Sequence, residues 1–314
     1  MTTRTRSLIL ALIATLTLAL VGAGCGGDDS GGGSSGDATE RLEKAFETEV
    51  TNGDLALTFE ATLDGVEDLD GPLKFTLEGP YAQDSPEDFP VLDWQITAEG
   101  AGQSFEAGVI ATEDNAYVEY KGESYEVGTE LFGQLKSQQE GRSSSITPQS
   151  LKALGVDPSG WLTDAEIEDG EEIGGDSTEL VTGDVDVPAV IEDLLKVAQS
   201  PAVRQQLESQ GQSVPEIDEP SDEDLQEIED SIDKLSVEFN IDEDDVLRRT
   251  SVDADFTIPE GADVDSLEGG SVTLDFVLRE VDVEPEIEPP ANPRPIQELI
   301  SQFSGGSGAA PQLR

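Results

Sequence analysis

Residues 55–63 read Leu-Ala-Leu-Thr-Phe-Glu-Ala-Thr-Leu. Leu55, Leu57, Phe59, Ala61 and Leu63 alternate with Ala56, Thr58, Glu60 and Thr62. A period of two sends every second side chain to one face of a strand, so this segment has one apolar and one wet face, as in antiparallel sheet. The next segments repeat the pattern. Leu73, Phe75 and Leu77 alternate with Lys74, Thr76 and Glu78, and Leu92, Trp94, Ile96 and Ala98 follow the same period. Further runs cover residues 104–110, 116–120 and 123–127. Turn-forming residues separate them at Asp70-Gly71, Gly100-Ala101-Gly102, Glu113-Asp114-Asn115 and Lys121-Gly122. The pattern predicts a meander of about six strands.

On either side of the meander the period changes to that of a helix. Upstream, Leu42, Phe46 and Val50 predict a short helix within residues 39–50. Downstream, Leu131, Phe132 and Leu135 predict one over 130–139. Val187, Val190, Ile191, Leu194, Leu195 and Ala198 predict another over 187–199, with Asp186 as its cap and Pro188 in its tolerant first turn. A third begins at Ser221, where Asp222, Glu223 and Asp224 suit the positive end of the helix dipole, with Leu225, Ile228, Ile232 and Leu235 as its stripe. Glu172-Ile173 and residues 179–182 read as a short hairpin between these helices.

Strands then return. Val237, Phe239 and Ile241 lead into an acidic turn at 242–245, which reads as solvated. Residues 246–258 lead back, and Val272, Leu274, Phe276 and Leu278 form a strand running on toward Val283. Pro285 and the Pro289-Pro290 pair end it. Residues 296–303 predict a last helix, followed by a glycine-rich tail at 304–314. Strand blocks with segregated helices point to the α+β class, with helices on one face of a large antiparallel sheet. A sheet curved around helices either closes on a packed core or leaves an apolar space where a small ligand can bind.

The N-terminus carries an address. Arg4 and Arg6 precede a fourteen-residue apolar run, LILALIATLTLALV at 8–21, and then Gly22-Ala23-Gly24 before Cys25. This is the order of a secretory signal peptide. The run is short for a spanning helix, which needs roughly 20 apolar residues. Cys25 is the only cysteine, so an internal disulfide is impossible. Its place behind small residues resembles a lipobox, where the thiol receives a diacylglycerol and the signal, residues 1–24, is removed. The usual leucine three residues earlier is here Gly22. Residues 25–38 are then a lipidated flexible tether, residues 39–303 a single domain, and the outer leaflet of the plasma membrane the expected location, reached through the anchor.

The chain holds 69 acidic and 17 basic residues, a net charge of −52. Such a surface repels nucleic acid, whose recognition needs basic residues, and anionic headgroups. Two sources of this acidity remain open, adaptation to high salt, where screening removes self-repulsion, and an ordinary acidic exported surface. There is no histidine, which removes Ser-His-Asp catalysis and the usual zinc sites. Ser231-Ile232-Asp233-Lys234 fits S-x-x-K without the companion motifs of that chemistry. The acidic loops at 64–71 and 240–245 both fail as EF-hands, lacking the glycine or the final glutamate in register. No enzyme, cofactor or metal site is expected, and the chain is expected to be monomeric.

Several longer stretches carry a resemblance: LKALGVDPSGWLTD at 151–164, GGDSTELVTGDVDVPAVIEDL at 174–194, VLRRTSVDADFTIP at 246–259 and VTLDFVLREVDVEPEIEPP at 272–290. With the lipobox-like start and the strand–helix–strand order, they resemble the LppX/LprG-type lipoproteins of actinobacteria. The resemblance implies a LolA-like half-barrel, a curved antiparallel sheet with helices on its concave face. It also implies an apolar cavity for an acylated lipid or lipoglycan that is carried across the cell envelope. Candidate lining residues are Phe75, Trp94, Phe105, Phe132, Leu135, Trp161, Leu194, Leu195, Phe239 and Phe276. The alternative is a structural or interaction lipoprotein with a closed core, an acidic surface and no ligand.

Overall fold

The computed structural model describes residues 35–66, 71–84, 89–139, 157–199, 222–258 and 267–305. The signal segment, Cys25, the first part of the tether, residues 151–156 of the family-like stretches and the end of the tail lie outside them, as does the side chain of Leu194.

Helix α1 (Ser35–Glu47) is followed by the six-strand meander β1 (Asn52–Asp64), β2 (Leu73–Ala82), β3 (Val91–Gly100), β4 (Gln103–Ala111), β5 (Ala116–Tyr120) and β6 (Glu123–Glu126). Helix α2 (Thr129–Gln139) and a 3-10 turn at Pro158–Gly160 lead to the hairpin β7 (Leu162–Ile173) and β8 (Asp176–Val185). Helices α3 (Val187–Gln199) and α4 (Asp222–Glu229) precede β9 (Ile232–Asp242), β10 (Leu247–Thr257) and β11 (Gly269–Val281). A two-residue strand β12 (Arg294–Pro295) and helix α5 (Ile296–Gly305) close the chain.

The twelve strands of the described residues form one sheet in the order β12-β6-β5-β4-β3-β2-β1-β11-β10-β9-β8-β7. Every pairing is antiparallel except that of β12 with β6. The sheet is large, curved and open, with β7 and β12 at its edges. Two meanders growing from opposite ends of the chain meet where β1 pairs β11, with Leu57 opposite Phe276 and Phe59 opposite Leu274. Directly opposed residues share a face, so the register sorts the side chains of all the long strands. Leu57, Leu77, Ile96 and Ala107 lie in one row across β1 to β4. Phe276, Thr250, Phe239 and Val181 continue that row across β11 to β8. The opposite face carries Thr58, Glu78, Gln95, Glu106, Asp275 and Arg249. The alternation visible in the sequence thus becomes one mainly apolar and one mainly polar face, the latter interrupted by the buried pair Ile110 and Tyr117.

The helices bury part of the apolar face. Ala38, Leu42 and Ala45 of α1 are fully buried in the main core with Leu55, Leu57, Val237, Phe239 and Phe276. Phe46 meets Phe239 edge-on at 5.5 Å between ring centroids. Helices α3 and α4 form a second cluster, Ile191, Leu195 and Ile228 with Ile258 and Leu267, packed against Leu63, Val66 and Phe256. Helix α5 sets Ile296 and Leu299 on Tyr125, Val118 and Tyr120 at the other edge.

Four expectations change. Helix α1 starts at Ser35, so residues 35–38 belong to it rather than to a flexible tether, and buried Ala38 explains why. The short hairpin is a long one, because β7 is an edge strand whose acids on both faces hide its alternation. Ile232 and Leu235 lie on β9 opposite Phe256 and Ala254, not on the preceding helix, whose spacing they also satisfy. The last long strand ends at Val281, short of Val283.

Candidate functional site

Between α1 and α5 the apolar face is only partly covered, with Phe59, Phe75, Leu77 and Trp94 packed against the margin of the main core and Val118 and Tyr120 against the cluster under α5. Phe59 on β1, Phe75 and Leu77 on β2, Trp94 and Ile96 on β3, Val109 on β4, and Val118 and Tyr120 on β5 are only half-buried. Register puts them on one face: Phe59 opposite Phe75, Leu77 opposite Ile96, Trp94 opposite Val109, and Val109 opposite Val118. Phe105 extends the strip, 44% exposed and stacked on Tyr120 at 5.5 Å. Five strands about 4.8 Å apart make a floor roughly 20 Å wide. Its sides are the core under α1 and the cluster under α5, and one end is the α3–α4 cluster. The result is an apolar trough with aromatic rings along its floor. A half-exposed apolar surface of this extent is the kind that marks ligand or partner sites rather than ordinary surface.

Few polar groups reach this strip. The Tyr81 hydroxyl donates to the Val50 carbonyl at 3.3 Å, and burial pushes its ionisation far above the ordinary tyrosine range, so it stays neutral. Trp94 Nε1 is buried without a hydrogen-bond partner. At Gly79, next to Trp94 on β2, φ is +140°, and a Cβ would collide with the Asp93 carbonyl. Glycine is therefore required where β2 and β3 approach there.

The wall formed by α1 is held by two arginines, buried Arg248 and half-buried Arg41. Arg248, 1% exposed, donates to Leu278 O at 3.0 Å, Arg279 O at 2.9 Å, Ile173 O at 3.2 Å, Asp176 Oδ2 at 2.6 Å and Asp242 Oδ2 at 2.9 Å. Arg41 of α1 donates to Glu179 at 2.9 Å and reaches the Asp242 carbonyl and Asp245. Asp242 Oδ1 accepts from Val246 N at 2.9 Å and Asp244 N at 3.0 Å. The acidic turn at 242–245 is thus solvated only in part, with Glu243 and Asp244 exposed. Its Asp242 and Asp245 are buried because two guanidinium groups neutralise them. On the polar face, burial first and the neighbouring Glu119 second raise the Asp93 carboxyl above the ordinary aspartate range.

The residues singled out from the sequence fall into distinct settings. Phe75 and Trp94 lie half-buried at the margin of the main core, on the floor of the trough, and Phe105 is its exposed extension. Phe239 and Phe276 share its face but are sealed under α1. Trp161 is also in the closed core, where its Nε1 donates to Asp193 Oδ2 at 2.9 Å. Leu195 belongs to the α3–α4 cluster. Phe132 stands apart, buried edge-on to Phe89 at 5.2 Å, and Leu135 is 46% exposed on α2. Sequence reasoning passed over Phe59, Leu77, Ile96, Val109, Val118 and Tyr120, although the alternation that found the strands also marks them. Beside α2 an open hollow of about 630 Å³ is lined by Thr129, Glu130, Gly133, Gln134 and Ser137. Among the described residues no group of three or more His, Cys, Asp or Glu is placed to hold a metal ion, and no helix is long and apolar enough to cross a membrane.

No protein-family model matches the chain, and no curated protein matches it. Among solved structures it is similar to the lipoprotein LppX of Mycobacterium tuberculosis, at 12% identity over 81% of this chain and all of that one, with a TM-score of 0.35. It is also similar to LprF from Mycobacterium bovis, at 13% identity over 83% of this chain and all of that one, with a TM-score of 0.37. A DUF1329 family protein from Desulfovibrio piger matches at 10% identity over 80% of this chain and 93% of that one, with a TM-score of 0.19. Likenesses this distant assign no function, and the architecture rests on its own strand pairing.

Proposed function

We propose that this chain is an exported lipoprotein, anchored through Cys25, that binds the acyl chains of a lipid or lipoglycan in the trough and helps carry it across the cell envelope. The half-buried apolar floor between α1 and α5 is the observation that carries this reading. A closed core would have hidden Phe75, Ile96 and Phe105 as fully as it hides Phe239. Keeping each methylene out of water is worth ~0.8 kcal/mol, so an acyl chain laid along such a floor recovers part of the burial it gives up on leaving a bilayer. In this reading residues 1–24 are the signal, the tether brings the folded body to the outer leaflet, and the body works there as one domain and one copy. The signal-like start, the position of Cys25 and the stretches resembling LppX/LprG-type lipoproteins support the location. No residue is given a catalytic role, and the trough residues supply apolar contact only.

The test is extraction of the protein from its own membranes, followed by mass spectrometry of lipids that stay bound through purification. Acyl lipid present at close to one per chain is expected, together with a diacylglyceryl mass on the peptide beginning at Cys25. Repeated preparations free of lipid would refute the binding. An unmodified thiol would refute the anchor.

A second reading has its own support. Phe239, Phe276 and Trp161 are packed shut beneath α1 and the 3-10 turn, which fits a structural lipoprotein whose trough receives a partner protein. Lipid-free preparations that retain a bound protein would favour it.

A further inference from the structure

Phe105 is 44% exposed, and among the exposed large apolar side chains of the described residues it is the one on the sheet. It sits where β4 begins and leaves the trough open at that end. Its ring stacks on Tyr120, whose face also carries the Lys121 ammonium at 4.9 Å. The rim around it, residues 100–105 and 120–122, reads Gly-Ala-Gly-Gln-Ser-Phe and Tyr-Lys-Gly. Neither stretch contains an acid, in a chain that has 69 of them. The acids flanking these stretches are turned away or paired. Glu99 and Glu106 lie on the polar face, opposite Ser104 and Thr97. Glu123 is held by Arg294 at 3.0 Å. An aromatic pair, a lysine and uncharged turns are the composition of a membrane–water interface, where amphipathic rings sit at headgroup level and lysine stems snorkel.

The tether runs to this end of the sheet. Cys25 lies ten residues before Ser35, a stretch that reaches at most about 35 Å. Strand β1 alone, at 13 residues, is about 43 Å long. Helix α1, into which the tether leads, packs against β7 and the 3-10 turn at Pro158–Gly160. That turn adjoins Leu162, which pairs Val185, at the same end of the sheet as the Gly100–Gln103 turn. Helix α2 marks the opposite end, where its Lys136 donates to Glu113 O in the β4–β5 turn at 3.1 Å. We propose that the rim around Phe105 docks on the bilayer surface and seats the open mouth of the trough on the leaflet that holds the anchor. The partner is a zwitterionic or uncharged headgroup layer, since a net −52 opposes an anionic one over about 10 Å at 0.1 M salt. The inference rests on the anchored reading and adds how the body stands on the membrane. It holds whichever lipid fills the trough.

The experiment uses the lipidated mature chain, purified from its own membranes and reconstituted into phosphatidylcholine vesicles, either plain or brominated high on the acyl chains. Bromine quenches an indole only at contact. Phe105→Trp, Ser104→Trp and Leu135→Trp, made singly, place a reporter at the trough mouth, on the polar side of the rim and on α2. All three sites are exposed, so the fold tolerates the changes, and equal thermal unfolding checks that it does. The native Trp94 and Trp161 set the background, measured in the unsubstituted chain. Brominated vesicles are expected to remove about half of the emission added at positions 104 and 105, as for a ring at headgroup depth, and none of that added at position 135. Lys121→Glu in the Ser104→Trp chain is expected to cut this quenching about twofold, because the lysine facing the lipid phosphates becomes an acid.

Quenching at position 105 without quenching at 104 means a lipid lying in the trough away from the leaflet. That result overturns the docking and leaves the trough reading standing. Quenching at position 135, or at none of the three, also overturns it, the rim then being free or kept for a protein. Quenching unchanged by Lys121→Glu overturns the part given to the charge of the rim. A chain without the diacylglyceryl mass at Cys25 overturns the anchored reading and this inference with it.

Discussion

Replacing Arg248 by methionine keeps most of the side-chain volume and removes the charge. Arg248 is 1% exposed, and its guanidinium serves two carboxylates and three carbonyls drawn from β7, β8, β9 and β11. Its loss leaves the Asp242 carboxylate, 3% exposed, without its cation. Removing one partner of a buried pair costs about 3–5 kcal/mol, because the remaining charge has lost both water and counterion. Each kcal/mol moves Tm by about 2–4 °C in a domain of this size, so Arg248→Met lowers Tm by about 10 °C. Asp242→Asn keeps an acceptor for Val246 N and removes the charge. The double variant should therefore recover about 1–3 kcal/mol relative to the sum of the two single changes. Thermal and urea unfolding of the four proteins measure this cycle. Strict additivity, or a loss under 1 kcal/mol for Arg248→Met alone, would refute the claim that the arginine neutralises a buried acid. The same cluster carries Arg41, so hydrogen exchange in α1 should rise in step with the loss.

Three further outcomes follow from particular residues. Folding holds a proton on Asp93 more tightly than the unfolded chain does, so stability at this site falls as pH rises from the ordinary aspartate range, near 4, to the raised value. Asp93→Asn should accordingly raise Tm at pH 7, with the gain shrinking as pH drops through that window, and a gain independent of pH would contradict the assignment. Raising salt from about 0.1 to 1 M shortens the screening length from about 10 to 3 Å. With a net charge of −52, Tm should climb with sodium chloride, and a flat or falling curve would mean that self-repulsion is unimportant. Gly79→Ala places a Cβ against the Asp93 carbonyl at φ +140°. It should cost about 1–3 kcal/mol and loosen Trp94, seen as a red-shifted emission, whereas wild-type stability would show that β2 and β3 do not approach as described.

Much of the architecture was legible because burial on one face writes itself into a period of two. The alternation at Leu55, Leu57 and Phe59 predicted β1, and the same rule located β2 to β6 and the strands containing Phe239 and Phe276. Edges and junctions were harder. Strand β7 has acids on both faces, so nothing periodic announces it. Ile232 and Leu235 continue a helical stripe on paper, yet they pair with β10, and only the partner strand decides between the two. The site was partly legible for the same reason. Alternation shows which side chains share a face but not which part of that face a helix covers, so Phe239 and Phe276, sealed by α1, looked equivalent to Phe75 and Phe105. The arginine cluster left no local trace, since Arg41 and the Asp242 carbonyl it contacts are 201 residues apart. Asp242 and Asp245, which read as part of a solvated turn, are buried because Arg41 of α1 and Arg248 of the next strand meet them there.

The most direct measurement of where a ligand sits is photolabelling with a palmitoyl glycerol ester bearing a diazirine near the end of its acyl chain, followed by peptide mapping. Labelling confined to β2, β3 and β4 on the face of Phe75, Ile96 and Phe105, and suppressed by unlabelled ester, is the predicted result. Labelling along α2, or scattered over the polar face and insensitive to competitor, would contradict the assignment of the trough as the binding site.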